Sequence, residues 1–152
     1  MKTIKGDLIT EFLKGEFKVM IHGANCFKRM KSGIAGQISK RIPEAQFADT
    51  MYGTEGDHSK LSNYSVGTVR KENGTVGMVI NLYTQFKPGP DLYEEALLLG
   101  FKKIAKDLKQ GTTIGIPEIG CGIAGGDWSI ICPKIAEIMK GHDVTWVEYV
   151  SE

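Results

Sequence analysis

The spacing of hydrophobic positions changes several times along the chain, and each change marks an element. Val, Ile and aromatic residues crowd residues 17–21, 75–84, 112–116 and 144–150, and residues 65–70 alternate. Each of these stretches reads as a strand, with residues 2–5 as a short first one. Glu72-Asn73-Gly74 supplies a hairpin turn, which makes residues 65–70 and 75–84 antiparallel neighbours. A helical period appears where Ile34, Ile38 and Ile42 recur every four residues. It returns at residues 44–52, with Phe47 and Met51 as the apolar spacing, and at residues 92–110, with Leu97, Phe101, Ile104 and Leu108 on one face and Gly111 at the end. A last helix opens near Asp127, carries Ile130, Ile131, Ile135, Ile138 and Met139, and tolerates Pro133 only in its first turn or with a kink. Residues 53–63 and 85–91 are polar or proline-rich and read as loops, as does the Gly6-Asp7 turn after the first strand.

The order is β-β-α-α-β-β-α-β-α-β. Helices interleaved with strands, plus one hairpin, predict an α/β fold: a mixed sheet of roughly six strands between two helical layers, a three-layer sandwich. At 152 residues the whole chain, 1–152, is expected to be one domain.

Composition mainly excludes. With 19 Lys+Arg against 18 Asp+Glu the net charge is +1, and no block of like charge appears, so nucleic-acid binding through a basic face is not favoured. No apolar stretch is long enough to span a membrane, and the first residues lack the apolar core of a leader; the expected location is cytoplasmic. The three cysteines form no C-x-x-C pair and the three histidines are far apart, so neither a metal nor another cofactor is expected.

The candidate chemistry is concentrated in residues 116–128, I-P-E-I-G-C-G-I-A-G-G-D-W, which join a strand to a helix. Such a junction leaves backbone N–H groups unpaired at the positive end of the helix dipole, where they can hold a phosphate without arginine or lysine. A cysteine-dependent phosphatase would need an arginine six positions after its nucleophile; Asp127 stands there for Cys121 and Ser32 for Cys26. No glycine is followed by Lys-Ser or Lys-Thr, so the loop is not a Walker cradle. A second glycine turn, Gly33-Ile34-Ala35-Gly36, opens the helix after the second strand. His22 and Asn25 lie at the carboxyl end of that strand, where ligands gather in open α/β sheets. His22 reads either as a packing residue or as a base, and Asp127 as a helix cap or as a catalytic carboxylate.

Taken together, Gly6-Asp7-Leu8 after the first strand, His22-x-x-Asn25 after the second, Gly33-Ile34-Ala35, and the run from Ile119 to Gly126 resemble the macro domain over nearly the whole chain. The likeness is greatest to the compact branch with the yeast ADP-ribose 1″-phosphate phosphatase and the human terminal ADP-ribose glycohydrolase. The resemblance implies an ADP-ribose cleft across the carboxyl ends of the strands. In it, Asp7 accepts from the adenine amino group beside Leu8, Asn25 faces the distal ribose, and Gly33, Ile34 and Ala35 meet ribose and diphosphate. Gly120, Cys121, Gly122, Ile123, Ala124 and Gly125 wrap the diphosphate, and Tyr149 supplies a ring near the adenine. The glycohydrolase pair of lysine and aspartate is absent, since Thr84-Gln85-Phe86 and Ala124 stand at those places. His22 resembles the phosphatase instead. The expected activity is therefore metal-independent hydrolysis of ADP-ribose 1″-phosphate, with His22 and Asp127 as candidate catalytic groups. Non-catalytic binding or sequestration of ADP-ribose, and deacylation of O-acetyl-ADP-ribose, are the alternatives.

Overall fold

In the computed structural model, which describes residues 1–150, the elements run β1 (Lys2–Gly6), α1 (Leu8–Lys14), β2 (Val19–Asn25), α2 (Gly33–Arg41), α3 (Pro43–Met51), β3 (Tyr64–Arg70), β4 (Val76–Gln85), α4 (Glu94–Asp107), β5 (Thr113–Ile116), α5 (Trp128–Ile138) and β6 (Asp143–Tyr149). The six strands form one sheet in the order β1-β6-β5-β2-β4-β3. All neighbours are parallel except the edge hairpin β3–β4. The mixed α/β/α sandwich expected from the sequence is therefore the fold.

The strand patterns follow from place in the sheet. β2 lies centrally between β5 and β4, so Val19, Met20 and Ile21 are all buried, toward opposite faces in turn. One face packs Val19, Ile21, Ile80 and Leu82 against Leu97, Phe101 and Ile104 of α4 and Ile131 and Ile135 of α5. The other packs Met20 and Val79 against Leu8, Ile9 and Phe12 of α1, Ile38 of α2 and Ala45 of α3.

Five details differ from the sequence reading. A whole helix, α1, follows the Gly6-Asp7 turn: the Asp7 carboxylate caps it by accepting from Thr10 N (3.1 Å), and Gly15 closes it in a left-handed conformation. α3 buries Ala45 and Asp49, whereas Phe47 and Met51 are 67% and 68% exposed. The small face wins because α3 lies directly on β3, where a Cβ at Gly67 would stand 2.8 Å from Ala45 Cα. α4 ends at Asp107, short of Gly111, which instead sits at φ +83 in the turn before β5. The 53–63 loop is not merely superficial, because its 3-10 turn His58–Lys60 tucks Lys60 inward and Ser62 is buried. Pro133 lies beyond the first turn of α5, which nevertheless continues to Ile138.

Candidate functional site

A cleft of about 1000 Å³ crosses the carboxyl ends of the parallel strands. Its wall takes residues from the β1–α1 turn, the end of β2, the start of α2, the end of β4, the glycine loop after β5 and the end of β6. That is where connections diverge from a parallel sheet and leave a crevice.

The glycine loop is built by its own backbone. Gly120 takes φ +74, a left-handed conformation costly for any side chain, and its carbonyl accepts from Gly126 N (2.8 Å) to close the loop. Within it, Cys121 N donates to Glu118 O (3.1 Å) and Gly125 N to Gly122 O (3.1 Å). Among the described residues, nothing accepts from the N–H groups of Gly120, Gly122, Ile123 and Ala124, and these residues line the cleft. Facing them is the start of α2. Gly33, Ile34 and Ala35 occupy its first turn, their N–H groups likewise have no acceptor, and the N-cap Ser32 makes no side-chain cap bond. A Cβ at Gly33 would lie 3.6 Å from Ile123 Cδ1, so the two turns meet across the cleft. Two rows of unspent donors, one in the first turn of α2 and one in the glycine loop ahead of α5, can accept anionic groups such as phosphates.

The two ends of the cleft differ. At the β1/β6 end stand Asp7, Leu8, Arg41 and Tyr149, whose residue is 71% exposed. Asp7 Oδ1 accepts from Thr10 N and from Arg41 Nη1 (3.2 Å), and among the described residues Oδ2 accepts only from Arg41 Nη1 (3.3 Å). A carboxylate offers about four acceptor positions, so one remains for a ligand donor. At the β4 end stand Asn25, Thr84 and Gln85. Asn25 shapes its loop, with Oδ1 accepting from Phe27 N (2.9 Å) and Nδ2 donating to Arg29 O (2.9 Å).

Both expected catalytic groups lie off the cleft wall. His22 is fully buried and points into the interior, where Nε2–H donates to Asn81 Oδ1 (2.6 Å). Burial, only partly offset by that hydrogen bond, lowers its pKa to about 4. Asn81 in turn donates to Ala45 O and Ser65 Oγ, Ser65 meets Tyr83 OH, and Tyr83 donates to Asp49 Oδ1 (2.7 Å). The histidine's partner is thus a structural network. Asp127 is the N-cap of α5, with Oδ1 accepting from Ser129 N (3.0 Å) and Ser129 Oγ (2.6 Å). Two residues expected to touch the diphosphate, Cys121 and Gly125, are also absent from the wall, and their N–H groups are spent inside the loop. The Cys121 thiol donates to Ile119 O, and burial pushes its pKa up to about 11. Sequence reasoning missed Glu118, Arg41 and Arg29 on the wall. Only Glu118 stood inside a recognised motif, one residue before Ile119.

No family model matches the chain. It is 41% identical over 135 residues to an uncharacterized 17.5 kDa protein from the tk-vs intergenic region of Enterobacteria phage T4, covering 86% of this chain and 84% of that protein. Among solved structures, the macrodomain of Mycobacterium tuberculosis DarG superposes with a TM-score of 0.74 at 22% identity, over 99% of this chain and 97% of that one. Thermosipho africanus DarTG in complex with ADP-ribose superposes with a TM-score of 0.75 at 15% identity, over 98% of this chain and 41% of that one.

Proposed function

The chain belongs to the family of the phage T4 17.5 kDa protein and has the macrodomain fold, and from that premise we propose that it binds ADP-ribose in the cleft. The observation that carries this reading is the facing pair of unspent donor rows, Gly33 to Ala35 and Gly120 with Gly122 to Ala124. Two such rows suit a ligand with two phosphate groups. Asp7 and Tyr149 at one end suit a base with an exocyclic amine, and the hydroxyl and amide groups at the other suit a second sugar. Isothermal titration with ADP-ribose, ADP and AMP tests it. ADP-ribose should bind, and AMP far more weakly, since it places a single phosphate on a two-phosphate cradle.

The second reading is hydrolysis of ADP-ribose 1″-phosphate to ADP-ribose and phosphate, without His22 or Asp127. What favours it is Glu118, exposed on the cleft wall two residues before the free Gly120 N–H. A carboxylate there can take the proton of an attacking water, while backbone N–H groups balance charge on the phosphoryl oxygens. Phosphate release should then fall by about 10²-fold or more in Glu118→Gln, with ADP-ribose affinity retained. Absence of release from the wild type would leave a binding module.

A further inference from the structure

The sheet has two edges, and they differ. β1 is five residues long and carries Lys2 and Lys5, the kind of charged side chain that guards an edge against pairing. β3 is seven residues long, reads Tyr-Ser-Val-Gly-Thr-Val-Arg, and has neither lysine nor proline. Its backbone directions follow from the hairpin. Lys71 N donates to Thr75 O (2.8 Å) and Tyr83 N donates to Asn63 O (3.0 Å), so in the register between them the odd-numbered residues turn their N–H and C=O groups to β4. Tyr64, Val66, Thr68 and Arg70 therefore turn theirs outward, and among the described residues no loop or side-chain group bonds to them. Their side chains share the face that α4, lying over β4, leaves bare; Val66 is 38% exposed.

Two features decide what can pair with this edge. The first is steric. α3 lies directly on β3, with Ala45 over Gly67, so a second copy joined edge to edge would bring its own α3 within one strand spacing, about 5 Å. Packed helices need about 8–10 Å. A lone extended segment carries no helix and clears α3. The second feature is charge. Beside Tyr64 lies a hollow of about 360 Å³, lined also by Asn63, Lys103, Lys106 and Asp107. Asp107 Oδ2 accepts from Tyr64 OH (2.5 Å) and Lys103 Nζ donates to Asn63 Oδ1 (3.1 Å). Among the described residues, neither lysine forms an ion pair, and neither does Arg70 at the other end of the strand, roughly 20 Å away.

We propose that the free edge of β3 binds an acidic peptide segment of another protein as an added strand. Its carboxylates meet Lys103 and Lys106 at one end and Arg70 at the other, and β-branched side chains between them lie against Val66 and Thr68. Main-chain hydrogen bonds supply the affinity and alternate side chains the selectivity. This surface does not depend on the ADP-ribose reading.

The probe is a fluorescein-labelled peptide, Glu-Thr-Val-Ser-Val-Thr-Glu, with a control that has Lys in place of both Glu, titrated by anisotropy and followed by amide NMR. The acidic peptide should bind at least about 10-fold more tightly than the control, with shifts and slowed exchange centred on the Val66 and Thr68 amides. Val66→Pro removes an N–H that makes no bond to β4, and it should abolish binding. Lys103→Glu combined with Lys106→Glu alters only surface charge and should shift the preference toward the lysine peptide, a test that holds even where Val66→Pro does not fold. No binding of the acidic peptide at about 1 mM, equal binding of the two peptides, or shifts away from β3 and α4 overturns the proposal. So does self-association of the wild type in sedimentation that Val66→Pro abolishes, since the edge would then belong to a second copy.

Discussion

The cleft and the polar network under α3 use the same chemical groups to opposite ends. In the network, His22, Asn81, Ser65, Tyr83 and Asp49 are buried and linked by hydrogen bonds to one another and to Ala45 O, though His22 Nδ1 has no partner among the described residues. In the cleft, the N–H groups of Gly33, Ile34, Ala35, Gly120, Gly122, Ile123 and Ala124 have no partner among the described residues. A buried hydrogen-bonded network fixes the packing of a helix on a sheet, whereas unspent donors on a concave surface are open to a ligand. His22 and Asn25, three residues apart on one strand, illustrate the division: the first is sealed inside the protein, the second lines the cleft.

The largest expected effect comes from filling the donor row. A Cβ at Gly122 meets nothing within 4 Å, so Gly122→Glu should fold normally. Its carboxylate would cover the N–H groups and repel the diphosphate, and ADP-ribose affinity should fall by more than about 100-fold, equivalent to about 3 kcal/mol. Normal titration with the variant would reduce the loop to a turn. His22→Ala is the mirror experiment. It leaves Asn81 Oδ1 unsatisfied beside a cavity, so stability in urea should drop by about 2–4 kcal/mol while ADP-ribose affinity at a temperature where the variant is folded stays unchanged.

The same histidine sets a pH dependence. Its pKa is about 4 folded against 6.5 for the free group, so between those values the unfolded chain binds the extra proton. Its contribution is fully present above pH 6.5 and is lost as pH falls toward 4, on the order of 3 kcal/mol. Asp49, whose carboxyl is raised by burial, works against this at the acid end, because the folded state takes up its proton first. Urea unfolding at pH 7 and at pH 4.5 checks the sign; a protein equally stable at both would contradict the sealed environment of His22.

Smaller effects separate capping from recognition. Asp7→Ser keeps an N-cap for α1 but removes the carboxylate, so binding of ADP-ribose should weaken by about 1.5–3 kcal/mol while the melting temperature changes little. Asp127→Ala should do the reverse, costing about 1 kcal/mol of stability with no change in binding or turnover. A loss of turnover in Asp127→Asn, which keeps much of the capping capacity, would return Asp127 to the chemistry.

Much of the architecture was legible because it depends on local pattern. The periods of residues 65–70 and 75–84 and the Asn73-Gly74 turn identified the β3–β4 hairpin, and the glycines at 33–36 and 120–126 located both donor turns. α1 was also written locally, as Asp7, then Leu8, Ile9 and Phe12, then Gly15, but its seven residues are too few for periodicity to stand out from a turn. The face of α3 was not legible. Phe47 and Met51 are its most hydrophobic residues, yet the close approach of the helix to Gly67 and the Asp49–Tyr83 hydrogen bond turned the small face inward.

The sequence by itself determined the order of elements apart from α1, and the places of the two glycine turns, because strand and helix periods and turn chemistry belong to contiguous residues. Which polar groups are free was decided only in three dimensions. The partner that holds His22 in the interior, off the cleft wall, lies 59 residues away on β4, and Asn81 is itself held by α3 and β3. A bulge that sets Thr84 against Gly23 exists only in the pairing of β4 with β2. A side chain's availability is the sum of hydrogen bonds made and unmade across the whole fold, and no local pattern encodes that sum.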